Sequence, residues 1–343
     1  MSSQTKHTLS QIGVKLCLLL VVLAILDLVY RYTLYPKELK EHCTLMSLSQ
    51  KAIDEHADII YLGESSNLTH SLQDTDKREI STMIADALPG HKVASLSKAA
   101  CHAGIYYDIM RNIPKKNDVK TAIVTVNIRS FSAEWLYSDL ETALNKERVF
   151  MKKAPVLYNR MLLAFKGYTQ WEETERTEKI IQELQRQTWP DAYSYTYQTA
   201  GEWDFAVGST GILYNGKPAS QDTISLACHY IKCFACGLDD DNPRIKDLDK
   251  IVQLCKKRGW RLIFHILPDN VEQIEALVGP ELQPIMKNNA RYIINRYEKQ
   301  GVTVINNQSI VHDQDFRDRD FPTEHYCQTG RQAIAASIVK VLQ

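Results

Sequence analysis

The chain has 343 residues, 24% of them charged and 44% hydrophobic, a globular composition with room for one large domain or two small ones. Lys plus Arg and Asp plus Glu number 41 each, so no net field draws the chain to nucleic acid. These grounds count against domain-scale disorder and against a nucleic-acid partner.

The first element is apolar. Leu16 to Leu26 reads LCLLLVVLAIL without a charge, and over residues 12–34 the segment reaches the ~20 residues that a membrane-spanning helix needs. Residues 1–11 are then a short tail, and Tyr30, Tyr32 and Tyr35 are candidates for an interfacial belt. A cleaved signal peptide is the competing reading. The stretch LDLVYRYTLYPKE offers no A-x-A-like cleavage site, which favours an uncleaved signal-anchor. Lys6 and Lys15 on one side face Arg31, Lys37 and Lys40 on the other, so charge does not decide orientation.

Residues 35–56 read as a polar, helical neck. From residue 57 onward, short apolar runs alternate with helix-period segments, the pattern of a parallel α/β sheet. Strands are expected at 58–62, 92–96, 121–127, 261–267 and 302–306, and helices at 72–88, 104–112, 247–258, 271–278, 281–300 and 331–342. The expected fold is a three-layer α/β/α sandwich around a roughly five-stranded parallel sheet. The third and fourth strands are too far apart for a crossover helix alone, so an insertion is placed at about 132–220. Its first part, through residue 187, is expected to be mostly helix. Its second part, TWPDAYSYTYQTAGEWDFAVGSTGILYNG, reads as an irregular loop or hairpin held by aromatic packing, or as an aromatic platform for a glycan or acyl acceptor.

Eight cysteines leave the compartment open. Cys228-x4-Cys233-x2-Cys236 lacks a second ligand pair at zinc spacing, and LACHYIKCFACGL reads better as a helix than as a metal site. No strand is followed by G-x-G-x-x-G or G-K-[ST], which leaves a nucleotide-binding Rossmann reading weak.

In a parallel sheet, ligands collect beyond the carboxyl ends of the strands. The first strand runs into Gly63-Glu64-Ser65-Ser66-Asn67, the second into residues 97–104, the third into Asn127 and Arg129, and His325 stands just before the last helix. A serine needs an imidazole to take its proton, and the imidazole needs a partner to hold its tautomer. Acyl transfer also builds an oxyanion, which backbone N–H groups and an amide side chain can receive. Ser65, His325 and Asn127 have the right chemistry and lie on one edge. A serine N-cap at GESS, a turn-forming Asn127 and a histidine marking the start of the last helix are the plain alternatives. His102 reads as a loop residue and His265 as a packed strand histidine.

This order of residues resembles the SGNH/GDSL hydrolase superfamily, over roughly 57–131 and 260–343. The segment Asn127-Ile128-Arg129-Ser130-Phe131, the single anchor and the insertion are most similar to membrane-anchored proteins of cell-surface polymer modification. Those include the teichoic-acid D-alanyl transfer protein and the alginate acetylation proteins. The resemblance implies Ser65 as nucleophile, with Ser66 a poor substitute, and His325 as base. It implies oxyanion donors at the Ser65 N–H, at Gly104 or Ala100, and at Asn127. Two departures stand out: Glu64 occupies the place of the family's Asp, and Pro322 occupies the place of its acid. Asp320 is the preferred carboxylate for His325, with Glu324 the alternative. Arg129 is a candidate for binding a substrate carboxylate or phosphate.

The function implied is a membrane-anchored esterase or O-acyltransferase acting on acyl esters of a cell-envelope polysaccharide, with its catalytic domain outside the cytoplasm. Expected partners are that polysaccharide or an acyl donor, and a membrane-bound acyltransferase. The alternative is a catalytically inactive scaffold or glycan-binding component of a polymer export complex. No metal or organic cofactor is implied, because the chemistry needs only side chains and amides.

Overall fold

The computed structural model describes residues 3–187 and 196–343. Five parallel strands form the central sheet: β1 (Ile59–Leu62), β2 (Val93–Ser95), β3 (Thr121–Val126), β6 (Arg261–Ile266) and β7 (Thr303–Asn306), in the order β2-β1-β3-β6-β7. Each inner strand reads as an apolar run because helices cover both faces of a parallel sheet. All four residues of β1 are buried, as are five of six in β3 and in β6, whereas β2 and β7 at the edges are only partly buried. The register pairs Leu62 with Val124 and Val126 with Ile266, which brings the strand ends after β1, β3 and β6 to one edge. The chain reverses its direction of travel across the sheet between β1 and β3, the switch point where such sheets open a crevice.

The five strands lie within a residue of the expected bounds at each end. Expected helices at 104–112, 247–258, 271–278, 281–300 and 331–342 are found as Ala103–Asn112, Pro243–Arg258, Val271–Val278, Leu282–Glu298 and Gln328–Leu342. The expected helix at 72–88 is a helix only over Ile80–Ala87. Its first half is diverted by Arg331, a fully buried guanidinium that donates to Asp74 Oδ2 at 2.8 Å, to the Asp76 carbonyl at 2.6 Å and to the Arg78 carbonyl. Carbonyls turned toward that guanidinium are unavailable to a helix.

The insertion is helical at Leu140–Phe150, Val156–Ala164 and Glu173–Arg186, the last opened by a Glu172/Glu175 capping box. The stretch expected to be irregular contains a helix, Ala200–Thr210, capped by Thr199 at its start and by Gly211, at φ +73°, at its end. A two-stranded ribbon follows, β4 (Leu213–Tyr214) with β5 (Lys217–Pro218). Trp203 is buried against Tyr197, which makes it a packing residue rather than part of a platform. Trp189, Tyr193 and Tyr195, also proposed for that platform, lie outside the described residues. Cys228 and Cys233 sit on the Gln221–Phe234 helix.

The chain divides into two compact units, Met1–Ser47 with Asn145–Gln170, and Leu48–Leu144 with Trp171–Gln343. The sheet belongs to the second. In the first, the helix Ser3–Thr33 contains a 27-residue stretch, His7–Thr33, long and apolar enough to cross a membrane, and a short helix, Tyr35–His42, begins the neck. The expected tyrosine belt is reduced to Tyr32. Tyr30 is buried and donates to Glu38 at 2.6 Å, and Tyr35 donates to the Phe150 carbonyl at 2.5 Å.

Because Arg331 ties the last helix to the 71–78 loop, Arg331→Ala leaves the Asp76 and Arg78 carbonyls without their donor and Asp74, half-buried, with only the Ser71 and Gln328 N–H groups. The expected cost is about 1–3 kcal/mol, read as a drop in the urea midpoint of the detergent-solubilised chain.

Candidate active site

The turn after β1 is held by a buried amide. Asn67 Oδ1 accepts from the Ser81 N–H at 2.9 Å, and its Nδ2 lies at 2.9–3.1 Å from Ser97 Oγ, Glu79 Oε2, Ser81 Oγ and Ser95 Oγ. Gly63 is required just before it. A Cβ there would stand 2.7 Å from Tyr61 Cε1 and 2.8 Å from Ser97 Oγ. This packing starts the short turn Ser65–Leu68 with Ser65 half-exposed and Ser66 at 0% exposure, so only Ser65 can meet an incoming ester.

His325 reaches Ser65 from the other end of the sequence, with Nε2 3.0 Å from Ser65 Oγ. Its Nδ1 is bonded to Asp318 Oδ2. The carboxylate on His325 is therefore neither Asp320 nor Glu324. The reason is an antiparallel pairing: the Arg317 N–H donates to the His325 carbonyl at 2.8 Å, and the Cys327 N–H donates to the Asp315 carbonyl at 2.8 Å. The loop between them returns Asp318 to the histidine, while Asp320 is exposed near the loop's tip. Extended residues alternate sides, so Glu324 and Tyr326 turn into the core and His325 turns out toward Ser65.

Glu324 points to Arg129, whose Nη2 lies 2.5 Å from its Oε2. Arg129 is buried and its guanidinium carbon lies 4.5 Å over the Trp135 ring. It is thus a structural cation, and the expected substrate contact is not available to it. Asn127 follows β3 and stands between two acids: Nδ2 donates to Glu64 Oε1 at 3.1 Å and to Glu324 Oε2 at 2.9 Å. Both of its N–H bonds are engaged.

Glu64, Glu324 and Asp269 are all buried in this region. Burial, reinforced by the charge of Glu324, pushes the Glu64 carboxyl up to about 8. The same two causes raise Asp269 well above the carboxylate range, although Gln308 donates to it at 3.1 Å. Arg129 loses solvation by burial but is held protonated by Glu324.

Of the two candidates for the second oxyanion donor, Gly104 is occupied. Its N–H donates to His102 Nδ1 at 3.1 Å, and an added Cβ would stand 2.5 Å from Asp247 Oδ2, so this glycine serves close packing. Ala100 lies in the turn after β2 with φ at +62°, the conformation a glycine would take there, and the Lys98 N–H ties that turn to the Gly63 carbonyl at 3.3 Å. His102 is the cap of the Ala103–Asn112 helix, with Nε2 3.1 Å from Glu141 Oε1. His265 is fully buried, with Nε2 3.1 Å from the Tyr61 hydroxyl and 3.2 Å from Thr125 Oγ1, and burial pushes its pKa down to about 3. Asp318 and the Glu64–Asn127 contact are the features that sequence reasoning missed. Among the described residues no group of three or more His, Cys, Asp or Glu could hold a metal ion.

No family model matches the chain, and no curated protein matches it. Among solved structures it is similar to a GDSL-like lipase from Bacteroides thetaiotaomicron, at 7% identity and a TM-score of 0.38, over 90% of this chain and 97% of that one. It is also similar to a carbohydrate acetylesterase family member from Sinorhizobium meliloti, at 8% identity and a TM-score of 0.33, over 83% and 97%. Neither overlap reaches the level at which activity follows; what the site can do rests on its own geometry.

Glu64 keeps its proton up to about pH 8 in the folded chain but releases it near 4.5 when unfolded. Its contribution is therefore whole below that lower value and is lost as pH rises toward 8. Glu64→Gln removes this loss. Its stability relative to wild type should rise by on the order of 2–4 kcal/mol between about pH 5 and pH 8, measured from urea midpoints across that range.

Proposed function

We propose that this chain is an SGNH-like serine esterase or O-acyltransferase, and the observation that carries the reading is the Ser65–His325–Asp318 relay at the switch point of the sheet. Ser65 Oγ attacks the ester carbonyl while His325 Nε2 takes its proton. Asp318 holds the imidazole in the tautomer with the proton on Nδ1 and stabilises the imidazolium that forms. His325 then protonates the leaving alkoxide, and the acyl group stays on Ser65. Water completes an esterase cycle; a sugar hydroxyl completes an acyl transfer.

The oxyanion is assigned to the Ser65 N–H, the turn at Ala100 and Asn127. For Asn127 to serve, one N–H must leave Glu64 Oε1 as the oxyanion forms. A neutral Glu64 gives that bond up more cheaply than an ionised one, since hydrogen bonds to charged acceptors are the stronger. The substrate class proposed is an acyl ester of a cell-envelope polysaccharide, with the apolar N-terminal helix as anchor, the domain outside the cytoplasm and a membrane-bound acyltransferase as partner. The engagement of both Asn127 N–H groups by carboxylates favours one other reading, an inactive scaffold of the same fold that binds glycan or a membrane partner.

The full chain in detergent should label with a fluorophosphonate at Ser65 and hydrolyse p-nitrophenyl acetate. Ser65→Ala should abolish both. Asp318→Asn should lower hydrolysis by about 10²–10⁴-fold, while Asp320→Asn stays near wild type. A folded chain without labelling at Ser65, whose Ser65→Ala variant still complements a deletion strain, supports the scaffold instead.

A further inference from the structure

The short helix Val156–Ala164 belongs to the same compact unit as the apolar N-terminal helix. It is fastened to that helix at a defined level: the Leu157 N–H donates to Asp27 Oδ1 at 2.7 Å. Asp27 immediately follows the uncharged run Leu16–Leu26 and precedes Arg31, so the attachment falls within the last two turns of the apolar stretch His7–Thr33, where the first charges after that run appear. Beside it, Arg160 pairs with Glu38 at 3.8 Å, and Asn159 donates to the Lys152 carbonyl at 3.1 Å. The short helix is thereby held against the end of the long one on one side.

Its other side is apolar and open. Tyr158 is 52% exposed, Met161 51% and Phe165 80%. These positions are spaced i, i+3 and i+7, which places them on one face of a helix and its exit. Three exposed lysines flank the face, Lys152 and Lys153 before the helix and Lys166 directly after Phe165. An aromatic and thioether face rimmed by lysines, level with the end of a membrane-spanning length of helix, has the chemistry of a surface that lies in the headgroup region.

We infer that Tyr158, Met161 and Phe165 form an interfacial foot that inserts among lipid headgroups, with Lys152, Lys153 and Lys166 on anionic lipid. The inference rests on the membrane-anchor reading of the N-terminal helix. The occupant follows from continuity: the apolar surface of Leu16–Leu26 is already assigned to lipid, and the foot extends that surface sideways at its boundary. Lysine stems lie along apolar surface while their ammonium groups reach phosphate, so the charged rim and the apolar face engage the same layer. The Tyr158 ring, apolar with a polar tip, suits the boundary between acyl chain and water.

The test uses the full chain in nanodiscs containing brominated lipid, with single tryptophans added at exposed positions. Phe165→Trp should add emission that is blue-shifted and quenched by the bromolipid, more strongly in anionic discs than in zwitterionic ones. Leu20→Trp, in the middle of the apolar helix, reports the anchor itself and should be quenched in both. Added emission at position 165 that is red-shifted and unquenched, while position 20 is quenched, overturns the foot and leaves the anchor standing. Lack of quenching at position 20 overturns the anchor and the foot together. Equal quenching at position 165 in the two kinds of disc overturns the role of anionic lipid.

Discussion

A single buried guanidinium sets the terms of the site. Arg129 follows β3 and faces Glu324, which shares the Asn127 amide with Glu64, while Asp269 lies buried nearby. Three buried carboxyls cannot all ionise against one cation in a poorly solvated interior, because each additional charge loses solvation and repels its neighbours. Protons must therefore stay bound, and the directions of shift at Glu64 and Asp269 express that requirement. The arrangement joins the exit of β1, the exit of β3 and the hairpin before the last helix through side chains alone.

That joining places Ser65 beside a histidine 260 positions away. The hairpin is short and extended, so its side chains alternate: Glu324 and Tyr326 point inward as anchors and His325 points outward. Tyr326 donates to the Pro268 carbonyl at 2.9 Å, Glu324 holds Arg129, and between them His325 has little freedom to leave Ser65. A residue that positions and a residue suited to proton transfer are thus neighbours in the chain with opposite surroundings. On the β1 side Asn67 does the corresponding work, fixing the Ser65 turn to the residues of β2 and the Ile80–Ala87 helix. Rigid support of this kind is what a near-attack geometry needs.

Reading a nucleophile elbow from its strand and a base from its place before a helix relies on topology, and topology was largely legible. The inner strands were visible as apolar runs because a parallel sheet is buried on both faces, and the helices were visible through their 3.6-residue period. Where expectation and structure part, a long-range contact is responsible. Residues 72–79 have helical spacing, yet their carbonyls serve Arg331, some 250 positions on. Residues 145–170 read as part of one insertion, yet they form a compact unit with the N-terminal helix. Gly104 resembles a donor turn, yet Asp247 from a distant helix needs its missing side chain.

By itself the sequence determined the α/β class, the strand positions, a helix of membrane-spanning length and the pairing of Ser65 with His325 on one edge, all of which follow from local patterning and the rule that parallel sheets gather polar residues beyond their carboxyl ends. Only the tertiary structure decided that Asp318 faces the histidine, that Arg129 is a buried cation and that the Asn127 amide is shared by two acids. The physical reason is common to the three: a side chain's role depends on which way it faces, and in extended or irregular segments that direction is set by pairing and burial between residues far apart in the chain.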